Sequence, residues 1–441
     1  MAYARRPFPK FRISALSPAT PPDDTRITRL PNGVRIVTIR MPHVHTASIG
    51  VFVRSGSAHE SKLDNGISHF VEHMVFKGTL MRDARRINLD AERLGAEVNA
   101  HTDKDHTGYT MHGRPADVPQ LVEMLADLVR HPTFPAEELE RERQVLLHEC
   151  TEDEDDPLST AFKLFDKACW GTHALAQSVI GPRRNIERFG RDALVDYLRR
   201  QYTGANVVVG AAGDIDVPAF EAAVEAAFGT MDAGHENLVA APVYAGGVAT
   251  KRLSGSSQAH LVLGFPLPGL AVQDPAGVLA AAVFGEGMSS PLMDRIREQR
   301  GLAYYTACSA DVLDVAGQFV VEASTSPEQI DDLLAETLAL LKAQAAHVGG
   351  EDLERAKAQL AVRRLRAHER PYRRLEDAVL DLYATGTVCD TRTWCSRIDA
   401  VPAETVRAAF ARMLAAGPTV ALSGELPRAA GERVRSRLAA A

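Results

Sequence analysis

The sequence predicts an α+β protein of two homologous halves, each a mainly antiparallel sheet covered by helices, which face each other across a cleft. Short β-strand patterns alternate with long amphipathic helical patterns. Several consecutive strands are separated only by short turns, which favours antiparallel pairing over parallel β-α-β units. The order of elements in the first half returns about 210 residues later, and two repeats of this kind leave a cleft between them. A length of 441 residues, 45% of them hydrophobic and 24% charged, is typical of a globular chain with more than one domain.

Regular structure is expected to begin near Ile27, after an N-terminal arm over residues 1–26. The arm carries basic residues and then a Pro- and Ala-rich run, without the apolar core of a secretory signal, so we expect a mobile or loosely docked segment, with a transit-like segment as the alternative. The second strand of the first half follows the first at hairpin distance. Strands are expected near 34–39, 46–54, 96–102, 107–113 and 206–213, and helices near 65–77, 84–95, 116–130 and 135–168.

A Gly-, Ala- and Pro-rich stretch with little periodicity, residues 232–250, is the best candidate for a linker. It divides the chain into a first half over residues 27–231 and a second half over residues 251–441. The repeat supports this division, because the same order of strand, long helix and acidic helix start occurs at Gly108–Met111 and Pro135–Arg141 and again at Gly317–Val320 and Gly350–Arg355.

The charge balance and the cysteine content exclude several classes of protein. The chain has 50 Lys and Arg against 57 Asp and Glu, a net charge of −7, so no overall field attracts nucleic acid or anionic lipid. The 5 cysteines are scattered and lack C-x-x-C spacing, which indicates reduced thiols rather than a disulfide framework or a Cys-rich zinc module. No apolar window reaches the roughly 18 residues that span a bilayer. We therefore expect a soluble cytoplasmic protein with no nucleic-acid or membrane partner.

The most informative segment, Asn65–Thr79, contains the pattern H-x-x-E-H. On a helix, His69 and His73 are four residues apart and share one face, so both imidazoles can converge on one zinc ion. Glu72 points to nearly the same side, where it can take a proton from a metal-bound water. The alternative is a buried helix whose histidines are satisfied by hydrogen bonds, but chance places this pattern in such a chain only about 0.03 times.

A catalytic zinc site commonly has three protein ligands and one open position, so a third ligand must come from elsewhere in the chain. The candidate is Glu149, on a helical segment 76 residues beyond His73. Glu149 also begins an acidic run that ends at Asp156, and a solvated helix end is the ordinary explanation for such a run. The spacing alone leaves both explanations open.

Together with Phe76, Gly78 and Thr79, the H-x-x-E-H order and the later Glu resemble the pitrilysin-type zinc metallopeptidases of family M16, the inverzincins. The resemblance extends from about Ile27 to a last strand near Thr419–Ser423. The chain length is similar to that of the short bacterial two-repeat subgroup, which resembles the mitochondrial processing peptidase. In that subgroup two chains together supply the four repeats that longer relatives carry in one.

The resemblance implies one Zn²⁺ per chain, held by His69, His73 and Glu149. It also implies that Glu72 is the general base on a zinc-bound water. Glu142, seven residues before Glu149, matches an acid that supports a histidine ligand from behind. Taken alone, Glu142 is equally well explained as an exposed helix acid.

Two further elements are similar to elements of this family. The strand Glu97–Thr102 resembles the edge strand that binds the substrate backbone by β-addition, with Asn99 and Ala100 as the matching positions. The alternative is an ordinary edge strand blunted by polar residues. In the second half, Arg297 and Tyr304 resemble the pair that holds the substrate carbonyl and steadies the oxyanion. Taken alone, they are a solvated helix residue and a strand residue.

The function expected from this resemblance is that of a zinc-dependent endopeptidase that hydrolyses peptides or unfolded segments. The alternative is a non-catalytic peptide-binding or scaffold subunit of a heteromeric peptidase. A homodimer, or a heterodimer with a related chain, is the expected assembly. Two departures from the family pattern, Pro291 and the stretch Arg366–Tyr372, bear on substrate preference. The sequence does not choose between general degradation and the processing of one precursor.

Overall fold

The computed structural model describes residues 25–439, so nearly all of the expected N-terminal arm lies outside the described residues. The described chain forms two β-sheets with helices around them. The strands of the first sheet are β1 (Thr25–Arg29), β2 (Arg35–Arg40), β3 (Ala47–Val53), β4 (Glu97–Thr102), β5 (Thr107–Gly113) and β6 (Val207–Gly213). Those of the second sheet are β7 (Gly247–Arg252), β8 (Ala259–Pro268), β9 (Tyr305–Val312), β10 (Ala316–Thr325) and β11 (Thr419–Gly424).

The helices follow the same two-part division. Those before residue 232 are α1 (Ile67–Met74), α2 (Ala84–Arg93), α3 (Val118–Arg130), α4 (Ala136–Asp155), α5 (Pro157–Trp170), α6 (Arg183–Arg188), α7 (Arg191–Gln201) and α8 (Val217–Phe228). Those after it are α9 (Pro275–Gly285), α10 (Ile330–Ala346), α11 (Gly350–His368), α12 (Pro371–Thr385), α13 (Thr391–Ala400), α14 (Ala403–Ala416) and α15 (Ala430–Ala439). A π-helical segment covers Met293–Gln299, and a 3-10 turn at Val75–Lys77 extends α1. No helix within residues 25–439 is long and apolar enough to cross a membrane.

The two sheets share one topology. The first has the strand order β1-β2-β6-β3-β5-β4 and the second the order β7-β11-β8-β10-β9. In the first, β6 runs parallel to β2 and antiparallel to β3, and in the second β11 runs parallel to β7 and antiparallel to β8. The remaining pairs are antiparallel. The predicted fold class of two similar, mainly antiparallel α+β halves is confirmed, with β1 as an addition to the first sheet.

The strands expected near 34–39 and 46–54 are present as β2 and β3. Their short separation in the sequence suggested a hairpin, but the two strands do not pair with each other. β6 inserts between them, parallel to β2 and antiparallel to β3. Every residue of β3 and of β6 is buried. A strand this apolar needs a hydrogen-bonded neighbour on both edges, and the central position of the sheet supplies them.

The prediction of a single helix over 135–168 is also wrong, because two helices cover this stretch: α4 ends at Asp155 and α5 begins at Pro157. Pro157 has no N–H to donate, which suits the first position of a helix but not its interior. Asp156 between them is extended, and its carboxylate accepts hydrogen bonds from the backbone N–H groups of Leu158 and Ser159.

The stretch expected to be a linker has no regular structure over residues 232–246, and strand β7 begins at Gly247, inside the expected boundary. Its side chains nevertheless contact both parts of the chain. Asn237 donates a hydrogen bond to the carbonyl oxygen of Arg54, and the Tyr244 hydroxyl donates one to the carbonyl oxygen of Gly417.

Each part of the chain contributes one helix to the sheet of the other. α5 packs against β7, β8 and β11 of the second sheet, and α12 packs against β2, β3 and β6 of the first. Phe165 of α5 is completely buried in the first contact and Leu375 of α12 in the second. Glycines allow the close approach, since a Cβ on Gly264 would lie 2.6 Å from the Phe165 ring and one on Gly210 2.4 Å from Leu375.

This exchange covers the second face of each sheet. The first face of sheet one packs against α1, α3, α7 and α8, and that of sheet two against α9, α10 and α14. Both sheets are therefore buried on both faces, and neither half of the chain completes its own core.

We expect Phe165→Ala to lower the free energy of unfolding by about 3–5 kcal/mol, because the substitution empties a fully buried aromatic position. Hydrogen exchange should accelerate most in β8 and β11, although Phe165 belongs to the first half of the chain. The control is Phe220→Ala, an equally buried residue of α8 in the core of the first sheet. If both variants accelerated hydrogen exchange in the same sheet, the packing of α5 against the second sheet would not account for the loss of stability.

Candidate metal centre and active site

The helix that carries the H-x-x-E-H pattern is anchored at its N-terminus by a buried carboxylate. Glu60 accepts hydrogen bonds from the backbone N–H groups of Gly66 and Ser68, at 2.8 Å each, and so satisfies donors that have no partner within α1. Gly66 has a φ of 100°, a conformation that favours glycine, and a Cβ there would lie 2.5 Å from the carbonyl oxygen of Ile180. Phe70 and the other apolar residues of α1 face the core. These constraints fix the helix in position and rotation.

The opposite face of α1 presents two histidines to a carboxylate of α4. The Nε2 atoms of His69 and His73 are 3.2 Å apart. The Oε2 atom of Glu149 lies 3.9 Å from the first and 3.7 Å from the second. The side chains of the two histidines are 15% and 17% exposed, and that of Glu149 is 36% exposed, so the group opens to solvent on the carboxylate side. Three predicted ligands from two separate helices are thus brought to one point.

The donor set fits a zinc ion. Bonds of about 2.0–2.2 Å at a tetrahedral angle place neighbouring ligand atoms about 3.3–3.6 Å apart, which is close to the separations found here. His69, His73 and Glu149 therefore offer two imidazole nitrogens and one carboxylate oxygen that could hold a metal ion together. Three ligands also leave a fourth position free. This is the donor chemistry of a catalytic rather than a structural zinc site.

Behind the predicted metal ligands, Glu142 lies buried between the His73 imidazole and the Lys77 ammonium group. The Nδ1 atom of His73 donates a hydrogen bond to Glu142 at 2.9 Å, and the ammonium group of Lys77 lies 2.7 Å from the other carboxylate oxygen. Burial opposes the charged carboxylate, but these two hydrogen bonds outweigh it and lower the pKa of Glu142. The bond to His73 fixes its tautomer and leaves Nε2 free to bind a metal.

The two histidines differ electrostatically. Burial, followed by the charge of His73, lowers the pKa of His69 to about 4, which keeps its imidazole neutral. Burial also opposes protonation of His73, but the hydrogen bond with Glu142 and the charges of Glu149 and Glu72 raise its pKa. A neutral imidazole is the metal-binding form, and His69 is held in that form by its surroundings.

The predicted general base, Glu72, lies on the same helix and contacts the edge of the first sheet. Thr102, the last residue of β4, donates a hydrogen bond to Glu72 at 2.7 Å. Burial raises the pKa of Glu72, and the bond from Thr102 only partly offsets it. A carboxylate with a raised pKa is a stronger proton acceptor, which is what a general base requires.

The strand expected to bind substrate is an edge strand of the first sheet, paired with β5 on one side only. Asn99 is exposed on it and donates a hydrogen bond to Glu97, whereas Ala100 is half-buried against the core shared with α1. The free side of β4 therefore runs next to the helix that carries the metal ligands.

The Arg/Tyr pair lies in the second half of the chain, on other elements than those that carry the predicted metal ligands. Arg297 lies in the π-helical segment, and its side chain is 48% exposed. Tyr304 lies just before β9 and is 70% exposed. Within residues 25–439, neither makes a hydrogen bond or an ion pair with His69, His73 or Glu149. Both side chains are exposed to solvent in the described chain.

Three residues that position the site were missed by the sequence analysis: Glu60, Lys77 and Thr102. Lys77 follows His73 by four residues, so its position one turn further along the helix was a usable signal. Thr102, Ala100 and Val98 are each two residues apart along β4, so their side chains point to the same side of the strand. Glu60 gave no signal, because it acts across a loop that no periodicity describes.

Two family models match the chain. The model described as "Insulinase (Peptidase family M16)" matches residues 35–183, and the one described as "Peptidase M16 inactive domain" matches residues 188–360. All of the metal-binding group lies within the first match. The boundary between the two matches falls before the stretch 232–250 that the composition indicated as a linker.

Curated relatives show the same family. A Bacillus subtilis protein named "Uncharacterized zinc protease YmxG" is 35% identical over 336 residues, which cover 75% of this chain and 81% of the relative. An uncharacterized zinc protease of Mycobacterium tuberculosis is 35% identical over 327 residues, 73% of this chain and 74% of the relative.

Solved structures share the fold. A protease from Helicobacter pylori superposes with a TM-score of 0.83 at 19% identity, over 90% of this chain and 99% of that one. A structure of a peptidase M16 inactive domain from Pseudomonas fluorescens gives a TM-score of 0.83 at 20% identity, over 92% of this chain and 99% of that one. With the family models and curated relatives that match over most of its length, the chain belongs to peptidase family M16.

Proposed function

We propose that this chain is a zinc-dependent endopeptidase that cleaves peptides or unfolded segments. The observation that carries the proposal is the convergence of His69, His73 and Glu149 within 3.9 Å of one another, with Glu72 one residue from a ligand and beside a free strand edge. The names of the curated relatives, which are zinc proteases, support the same chemistry.

His69, His73 and Glu149 would hold the zinc ion, which when bound supplies a Lewis acid that polarises a carbonyl group and lowers the pKa of water toward 7. Glu72 takes the proton of the attacking water and then delivers it to the leaving amine. Thr102 keeps the Glu72 carboxylate aimed at the free side of β4. Glu142 and Lys77 hold His73 in the tautomer that binds metal.

The free edge of β4 is the proposed substrate track. An extended peptide can add to this edge through main-chain hydrogen bonds alongside Asn99 and Ala100, a mode that tolerates many side chains. Such pairing would place a scissile bond next to α1. This explains why the proposed substrates are extended peptides rather than folded proteins.

Arg297 and Tyr304 are proposed to bind the substrate carbonyl and its oxyanion. Arg297 and Tyr304 lie in the second half of the chain and the zinc group in the first, so the pair could meet the substrate from the same chain or from a second copy. The expected homodimer or heterodimer supplies the second route and stays a prediction, as does the cytoplasmic location.

The alternative of a non-catalytic subunit is supported only by the description of the second family model as an inactive domain. That model matches the part of the chain without the metal ligands, so it does not bear on the first half.

We expect Glu72→Gln to lower kcat by roughly 100-fold or more while leaving one zinc ion bound, because it removes the proton acceptor and no metal ligand. The measurements are cleavage of a quenched peptide and elemental analysis of the protein. The control is Glu137→Gln near the start of α4, whose side chain is 86% exposed and which lies twelve residues before Glu149. Undiminished cleavage by the Glu72 variant would refute its role as base.

Glu142→Gln should weaken zinc binding about 10–100-fold, since it removes the carboxylate that orients His73 and leaves Lys77 without its partner. Competition with a zinc chelator measures the affinity. Glu140→Gln is the matched control, because Glu140 lies on the same helix with a side chain that is 67% exposed. Equal affinities for the two variants would contradict the positioning role.

Tyr304→Phe and Arg297→Ala should each lower kcat about 100-fold by loss of an oxyanion contact. Tyr305→Phe is the control, since that neighbouring hydroxyl bonds to Glu322. Mixing the Arg297 variant with the Glu72→Gln variant tests the assembly. Activity restored in the mixture means that one chain supplies the pair to the zinc site of another, and an inactive mixture means that each site uses its own pair.

A further inference from the structure

A second cluster of metal-binding side chains lies on the other face of the first sheet. His101 is the second-to-last residue of β4. Asp103 and His106 belong to the turn that connects β4 with β5. One ligand atom of each lies within 4.8 Å of the others. These side chains lie apart from the three predicted zinc ligands, because side chains alternate along β4 and Thr102, which bonds to Glu72, points to the opposite side.

The geometry of this cluster repeats that of the first metal group. The Nε2 atoms of His101 and His106 are 3.1 Å apart, against 3.2 Å for His69 and His73. The two imidazole rings meet edge to face at 78°, against 76° in the first group. The Oδ2 atom of Asp103 lies 3.9 Å from Nε2 of His106.

A carboxylate that is 14% exposed, that of Asp105, orients His106 in the same way that Glu142 orients His73. The Nδ1 atom of His106 donates to Oδ1 of Asp105 at 2.8 Å, so in the neutral ring the lone pair is on Nε2, which faces His101. Asp105 is itself held, because its other oxygen accepts a hydrogen bond from the backbone N–H of Asp314 in the second half of the chain. His106 is 3% exposed. The ligand nitrogen is therefore fixed in direction before any ion binds.

The partners of His101 come from α12. The Tyr372 hydroxyl donates a hydrogen bond to Glu376. The hydroxyl oxygen of Tyr372 is therefore the acceptor in its contact with Nδ1 of His101, at 3.4 Å. The Nε2 atom of His101 then also carries a lone pair, and the two lone pairs of the histidines point at each other. At 3.1 Å such a contact is repulsive unless a cation or a proton lies between the rings.

The surroundings favour a cation. Oε1 of Glu376 lies 3.5 Å from Nε2 of His101, and its Oε2 is paired with Arg373. The nearest lysine, Lys104, is turned away to Asp166. Gly108, opposite His101 in the strand register, makes room for the ring, since a Cβ there would lie 2.4 Å from it. Asp103, with a side chain that is 60% exposed, leaves the cluster open to solvent.

We propose that His101, His106 and Asp103 bind a second divalent transition-metal cation, such as Zn²⁺, at the junction of the β4–β5 turn with α12. Two imidazoles and a carboxylate suit zinc and its neighbours in the first transition row rather than Mg²⁺ or Ca²⁺. All three ligands belong to the first half of the chain, and α12 of the second half supplies the groups that contact His101. This site is independent of the proposed function, since it neither touches the peptidase ligands nor requires cleavage.

The test counts zinc ions in the full-length protein after metal removal, titration with Zn²⁺ and gel filtration. We expect two ions per wild-type chain and one in His101→Phe, which keeps a ring in the space beside Gly108. The variant with both His69→Gln and His73→Gln should also keep one ion, and its melting temperature should rise with Zn²⁺. Adding His101→Phe to that variant should abolish both the ion and the rise.

Asp103→Asn provides a second variant at an exposed position, and it should weaken binding of the second ion without unfolding the chain. A wild-type chain that holds a single ion, lost with His69 and His73, would overturn the proposal and mean that His101 and His106 share a proton. Two ions in His101→Phe and Asp103→Asn alike would also overturn it, because the second ion would then lie elsewhere.

Discussion

Reciprocal burial of the two sheets is the constraint on which the remaining structure depends. α5 leaves the first half to cover the second sheet, and α12 leaves the second half to cover the first. The break at Asp156 and Pro157 makes this possible, because it turns the chain between α4, which carries the predicted metal ligand Glu149, and α5. A helix that continued through this point could not serve both the metal site and the second sheet.

The metal centre is built on rigid elements for the same reason. α1 is fixed by Glu60 at its start and by apolar packing along one face, and α4 brings Glu142 and Glu149 to it two turns apart. A buried Glu142 between His73 and Lys77 keeps its charge through its bonds, and it defines the direction of the histidine. Pre-organised ligands of this kind bind metal without first paying the entropy of ordering several side chains.

The two faces of β4 connect the peptidase site with the second half of the chain. Thr102 points to Glu72, and the residues on either side of it, His101 and Asp103, point to the cluster beside α12. The contact of α12 with the first sheet and the predicted general base therefore lie at the same end of β4. The same strand serves both as the proposed substrate track and as the join between the halves.

The sequence by itself determined the local features. The H-x-x-E-H spacing on one helix, the seven-residue separation of Glu142 and Glu149 and the strands of the first half follow from periodicities that the chain carries regardless of its surroundings. The end of α4 was also encoded, since Pro157 cannot continue a helix, although the periodicity of the flanking residues obscured it.

Only the tertiary structure decided which elements meet. The insertion of β6 between β2 and β3 depends on the burial of a strand that lies more than 150 residues beyond β3 in the chain. The roles of Lys77 and Thr102, the exchange of α5 and α12, and the meeting of His101 with Tyr372 arise from contacts between distant segments. Such contacts depend on which side chains pack closely together once the sheets have formed, and no local sequence pattern indicates them.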